Sequence, residues 1–219
     1  MSFERRVSTV FVQHLKSAKK VAVSARAGIN GSPVYSPDGK KLALTLSGSN
    51  GNLDVYLLGL ATQQLTRITD DPGIDTEAVF APDGASLYFT SDRAGSPQIY
   101  RQALGAGERA RRVTFTGSYN ARPRVSPDGK QLAFLTLSEG AYRIAVQNLA
   151  DGTVKILSRG RQEESPSFAP NGAMLIFAGR ERGQGVLQTV SVDGLTSARL
   201  DADAGEVREP VWGPYLLTE

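Results

Sequence analysis

One turn is written four times in this chain, and its spacing restricts the fold more than any other feature. The segments SPVYSPDGKKLALTL (32–46), EAVFAPDGASLYFT (77–90), RPRVSPDGKQLAFL (122–135) and SPSFAPNGAMLIFA (165–178) align without gaps around S/A-P-D/N-G. The turn prolines Pro37, Pro82, Pro127 and Pro170, with a last relative at Pro214, are 45, 45, 43 and 44 residues apart. A fixed period of this length means a repeat architecture in which each unit buries its faces against its neighbours. Within a unit, Pro fixes φ at the first turn corner, Asp or Asn bonds the turn backbone, and Gly supplies the positive φ that closes a hairpin.

Each unit reads as four short strands. One ends at the turn, and a dense apolar strand follows it (KLALTL, SLYFTS, QLAFLT, MLIFAG). A third strand comes after a Gly- or Ser-containing link (LDVYLLGL, PQIYRQAL, YRIAVQNL, VLQTVSV), and a fourth closes the unit (LTRIT, ARRVT, VKILS, SARLD). No window sustains a 3.6-residue apolar stripe, and turn signals recur about every ten residues, so helices are excluded. Four strands per unit of this length make a β-propeller blade.

The expected fold is therefore an all-β propeller of about five blades forming one domain over 1–219. Four blades are continuous, near 32–75, 76–120, 121–163 and 164–207. The fifth is a composite of 208–219 with 1–31, in which the two termini share a sheet and protect each other's edges. STVFVQHL and KKVAVSA supply its third and fourth strands, REPVWGPYLL its first, and Met1–Glu4 the tail of its second. Aromatics at Tyr35, Phe80, Phe89, Phe134, Phe168 and Phe177, continued by Trp212, recur at blade positions where they pack between blades.

Chemistry is sparse. The chain has no cysteine, so disulfides and thiolate chemistry are absent. Its one histidine, His14, cannot build a multi-histidine metal site, and no G-x-S-x-G elbow presents a serine to it. The Gly-rich SGSNGN and AGAG are hairpin tips and not phosphate loops. Acid pairs occur at Asp70/Asp71, Asp75/Glu77 and Glu163/Glu164, where one blade hands over to the next. No catalytic residue, metal site or cofactor is expected. The net charge of +3 is spread along the chain and gives no nucleic-acid footprint. No apolar run is long enough for a signal peptide or for membrane insertion.

The handover segments RAGINGS (26–32), DPGIDTE (71–77), TGSYNAR (116–122) and GRQEES (160–165) vary between units and gather at one mouth of the central channel. Loops on a rigid scaffold carry function. Glu77, Arg122 and Ser165 share one position, just before the Ala or Pro of a first strand.

SPDGKKLA, TSDRAGSPQIYR, SFAPNGAMLIFA and EPVWGPYL resemble the propeller of the TolB family, part of the bacterial Tol–Pal envelope system, and the similarity runs over essentially the whole chain. The resemblance implies a non-catalytic, protein-binding propeller of the periplasm, serving envelope integrity and cell division. It implies docking of the peptidoglycan-associated lipoprotein Pal, and of some colicin segments, at the mouth. Carried over by position, the partner-binding residues are Asn30, Ser32, Asp75, Thr76, Glu77, Asn120, Glu164 and Ser165. Two positions depart from the family: Ile29, where histidine is frequent, and Ala121-Arg122, where acidic or amide residues are expected. The family also has a signal peptide, an N-terminal α/β domain and six blades. The alternatives are the propeller of a prolyl-oligopeptidase-type peptidase, or a shortened or engineered propeller with no partner.

Overall fold

The computed structural model describes residues 8–48, 50–105, 107–181, 183–200 and 207–213. Every regular element among them is a strand. β1 (Val10–Gln13) and β2 (Lys20–Ser24) form a two-stranded sheet. Four antiparallel blades follow, each in simple up-and-down order. The first comprises β3 (Asn30–Tyr35), β4 (Lys41–Ser47), β5 (Leu53–Gly59) and β6 (Leu65–Arg67). The second has β7 (Asp75–Phe80), β8 (Ser86–Ser91), β9 (Gln98–Ala103) and β10 (Arg111–Arg112). The third has β11 (Asn120–Val125), β12 (Gln131–Ser138), β13 (Ala141–Asn148) and β14 (Val154–Ile156). The fourth has β15 (Glu163–Phe168), β16 (Met174–Glu181), β17 (Gln184–Ser191) and β18 (Ser197–Leu200).

The turn between the first and second strands behaves as its chemistry requires. In the first blade Ser36 Oγ donates to Asp38 Oδ1 at 2.6 Å, and the same carboxylate oxygen accepts Lys40 N–H at 3.0 Å. Ser126, Asp128 and Lys130 repeat the arrangement. Gly39, Gly84, Gly129 and Gly172 all have φ between 67° and 73°, the conformation that only glycine adopts without strain. The turns also stack around the rim. A Cβ added at Gly84, Gly129 or Gly172 would lie 3.6–3.9 Å from the ring of Pro37, Pro82 or Pro127, the turn proline of the preceding blade.

The second strands hold the blades together because they are apolar on both faces. In β12, Leu132 and Phe134 point back and pack with Val79, Tyr88 and Ile99 of the second blade. Ala133 and Leu135, one residue out of phase, point forward and join Phe168, Leu175 and Phe177 of the fourth. This is the two-residue alternation of a strand used twice. Ala43 faces the larger Phe89 and Leu87 in the same way, and Leu42, Leu44 and Leu46 close on Val10 of β1.

Two expected packing residues are exposed instead. Phe89, Phe134 and Phe177 are fully buried, and Phe80 and Phe168 are 9% exposed, but Tyr35 is 50% and Trp212 39% exposed. Tyr35 is on the innermost strand of the first blade, and Trp212 is in the C-terminal segment beside Ser167 of the fourth. Of the composite blade, the described part is β1, β2 and residues 207–213, with no ladder between them. Its expected second strand and the Pro214 turn lie outside the described residues. No described helix is long and apolar enough to cross a membrane.

Candidate functional site: a ring of left-handed residues at the channel mouth

The innermost strand of each blade carries a bulge at one position. Its register with the second strand shifts between Gly31 and Val34, Thr76 and Val79, Ala121 and Arg124, and Glu164 and Ser167. Inside each bulge sits one non-glycine residue with positive φ: Ser32 at 48°, Glu77 at 57°, Arg122 at 56° and Ser165 at 56°. Glu209 has φ of 49° at the matching position of the C-terminal segment. Proline follows four of the five, and alanine follows Glu77. A left-handed L-residue is strained by about 1 kcal/mol or more, and a bulge re-aims its side chain away from the ladder. The strain is repeated because the result is repeated: all five residues line one axial cavity of about 640 Å³.

The cavity mouth is cross-linked through Arg122. Its Nε lies 3.2 Å from Glu77 Oε1, and its Nη1 lies 3.1 Å from Glu164 Oε2 and donates to Ser165 Oγ. Glu209 approaches the same Nη1 at 4.0 Å. The Arg122 backbone N–H adds bonds to Thr90 Oγ1 at 3.0 Å and Glu77 Oε2 at 3.2 Å. Thr90 Oγ1 in turn donates to Glu77 Oε2 at 3.0 Å. Residues from the second, third and fourth blades and from the C-terminal segment thus share one charge network. The pairs with Glu77 and Glu164 are partly buried, where mutual attraction is less screened than at a free surface.

The expected binding residues divide into two layers. Ser32, Thr76, Glu77 and Glu164 are accessible at or beside the mouth, and Ser165 lies just beneath, bonded to Arg122. Asn30, Asp75 and Asn120 lie below that rim, with relative exposures of 4%, 0% and 0%. Each is the first residue of an innermost strand and serves its own fold. Asn30 Oδ1 accepts Ser24 Oγ at 2.6 Å and Arg26 N–H at 3.0 Å. Asp75 takes the Arg93 guanidinium on both oxygens, at 3.0 and 2.8 Å. Asn120 Nδ2 donates to Gln98 Oε1 and the Thr116 carbonyl, each at 2.9 Å. The fourth blade puts Glu163 here, held by Ser158 Oγ and by Gly160 N–H at 2.8 Å, and burial pushes its carboxyl above the usual range. These four side chains are buried and pin the handover loops.

The acid pairs are split by the same layering. Asp75 and Glu163 are buried and tied to their own loops, while Glu77 lines the channel and Glu164 pairs with Arg122. His14 is exposed just beyond β1, with Nδ1 2.8 Å from Ser17 Oγ. No group of three or more His, Cys, Asp or Glu suited to a metal occurs among the described residues. Sequence reasoning placed Arg122 in the repeat but not in the site, and it missed Glu209 and Arg124. The residue-before-Pro/Ala pattern marks Glu209 as clearly as the others; Arg124 has no such signal.

Comparison with known proteins agrees with this architecture. The family model described as the TolB beta propeller domain matches residues 1–216. The Tol-Pal system protein TolB of Xanthomonas campestris pv. campestris (strain B100) is 50% identical over 116 residues, which is 52% of this chain and 26% of that protein. The crystal structure of TolB from Acinetobacter baumannii superimposes with a TM-score of 0.88 at 43% identity, covering 98% of this chain and 53% of that one. A putative TolB from Agrobacterium tumefaciens shares the fold at 24% identity, with a TM-score of 0.84 over 95% of this chain and 74% of that one. The matched part is about a quarter of the length of the Xanthomonas relative and about half of the Acinetobacter chain. On the match across residues 1–216, the chain belongs to the TolB β-propeller domain family.

Proposed function

We propose that this propeller is a non-catalytic binding module of the Tol–Pal system, and that its channel mouth receives a loop of Pal in the periplasm. In that role it serves envelope integrity and cell division. The observation that carries the reading is the ring of left-handed residues. Five strained positions aim Ser32, Glu77, Arg122, Ser165 and Glu209 at one cavity. Strain of this kind gathers at ligand-binding sites. The ion network fixes the rim before a partner arrives, which lowers the ordering cost of association. A polar rim of this sort offers a partner loop backbone groups, two hydroxyls and fixed charges, and binding follows from shape fit and a few desolvated hydrogen bonds.

Calorimetry of the propeller against the periplasmic domain of Pal tests the reading. The expected result is a saturable one-to-one complex that Thr76→Ile weakens by about tenfold or more, because a branched apolar side chain beside Glu77 obstructs the mouth. Absence of heat with folded protein, or full affinity in Thr76→Ile, excludes this docking mode.

A further inference from the structure

Basic residues that are scattered along most of the chain are gathered at one place outside the channel. Residues 98–120 hold four arginines and one acid, Glu108, an excess equal to the +3 of the whole chain. Arg111 and Arg112 form β10, the outermost strand of the second blade, and Arg109 stands just before it. Arg101 of β9 is directly opposite Arg111 in the ladder. Arg101, Arg109 and Arg111 are exposed, and Arg112 is half-buried.

Like charges placed opposite each other destabilise a sheet, and the repeat supplies the comparison. The matching pairs are Leu57 with Thr66 in the first blade, Val146 with Lys155 in the third and Thr189 with Ala198 in the fourth, each with one charge or none. Arg101 leans back across the sheet, where its Nε donates to Ser86 Oγ at 3.1 Å and its guanidinium lies 5.9 Å from the Tyr88 ring centre. Arg112 donates to the Thr114 carbonyl and lies over Phe115, 5.2 Å from the ring centre. Phe115 is 74% exposed.

We propose that the outer edge of the second blade is a peripheral docking surface for an anionic phospholipid bilayer, met edge-on and without an inserted segment. A guanidinium fork matches a phosphate in two parallel hydrogen bonds. Each arginine close to an anionic leaflet adds to the attraction, and an aromatic ring beside them suits the headgroup level. Phe115 favours a bilayer over an acidic protein or a DNA duplex, because a bilayer has an apolar layer just beneath its phosphates. With the rim of the propeller on the membrane, the channel axis lies along the surface and the mouth stays open. The proposal therefore stands apart from docking at the mouth.

Cosedimentation with vesicles of phosphatidylglycerol diluted in phosphatidylcholine, over a range of salt, tests it. The parent is expected to sediment with these vesicles, less at high salt, and not with phosphatidylcholine alone. Arg101→Gln/Arg111→Gln is expected to weaken the association about tenfold or more and to flatten its salt dependence. Lys16→Gln/Lys19→Gln removes the same charge from two other exposed positions and is expected to change it little. Phe115→Ala is expected to weaken binding with the salt dependence kept. Arg111→Gln alone is expected to raise Tm by about 1–2 °C, because it relieves the opposed pair and leaves the bonds of Arg101 in place. Absence of binding by the parent, equal binding to phosphatidylcholine, or an equal loss in the lysine variant overturns the proposal. So do unchanged binding in the double arginine variant or in Phe115→Ala, and a lowered Tm in Arg111→Gln. Tighter binding to duplex DNA or to polyglutamate overturns it in favour of that class of partner.

Discussion

Glu77 and Arg122 stand at the same point of successive blades, 45 residues apart, and their side chains meet across the blade boundary with Nε and Oε1 3.2 Å apart. The repeat that builds the scaffold therefore also brings a carboxylate and a guanidinium together at its axis. Arg122 then reaches the other way to Glu164 and Ser165, so it ties the second blade to the fourth.

Removing Arg122 leaves Glu77 and Glu164 without the guanidinium that joins them. Arg122→Gln is expected to lower unfolding free energy by about 1–2 kcal/mol, above an exposed surface pair and below a fully buried one. Glu77→Gln is expected to cost less, since Arg122 keeps Glu164. Urea titration of the two variants beside the parent checks the order, and a larger loss in Glu77→Gln contradicts the placement of Arg122 as the hub.

Glu163 gives a pH dependence with a definite sign. Burial raises its carboxyl pKa in the folded protein despite the bonds from Ser158 and Gly160. The folded state therefore holds the proton to higher pH than the unfolded chain does. Its contribution is most favourable in acid and is lost as pH rises through the raised folded value. The first and third blades already place an amide here, as Asn30 and Asn120. Glu163→Gln is thus expected to stabilise the protein at pH 7 by about 1 kcal/mol, with the gain fading toward pH 4. Denaturation across that range measures it, and a gain that grows in acid reverses the argument.

The turn aspartates carry the opposite sign. The Ser126 hydroxyl and the Lys130 N–H hold Asp128 below the usual carboxylate range. Their stabilisation is complete above the unfolded pKa and is lost as pH falls through the depressed folded value. Asp128→Asn is expected to fold with nearly parental stability at neutral pH, because Asn171 makes the same bond to Ala173 N–H in the fourth blade. Asp128→Ala removes both bonds of the turn and is expected to cost about 1 kcal/mol. Thermal melts of the pair distinguish a hydrogen-bonding role from a charge role.

Much of this was legible because a repeat compares each residue with its own copies. The period located the blades, and S/A-P-D/N-G located the turns with their bonding. The mouth was read less well, for a physical reason. Asn30, Asp75 and Asn120 look like exposed loop polars in a string, and only the folded chain shows them buried and bonded to Ser24, Arg93 and Gln98. Glu77 and Asp75 are two residues apart and alike in type, yet the intervening bulge sends one to the cavity and the other to the interior. Arg124 carries no sequence signal, since its place in the cavity lining depends on how the bulge at Arg122 turns the strand.

Packing at the seam supplies a last contrast. Phe80 and Tyr35 are equivalent residues of adjacent innermost strands, but Phe80 is packed against Ala43, Val55 and Leu57 of the first blade while Tyr35 is half exposed. Phe80→Ala opens a cavity between blades and is expected to cost about 3 kcal/mol. Tyr35→Ala opens none in this arrangement and is expected to cost less than about 1 kcal/mol. The C-terminal segment reaches the axis from the other side, where Trp212 N–H donates to Ser167 Oγ at 3.1 Å and Glu209 repeats the left-handed turn. A composite fifth blade seated over Tyr35 in solution would bring the cost of Tyr35→Ala up to that of Phe80→Ala. Chemical denaturation of the two variants therefore measures, at one residue, how far the ring closes.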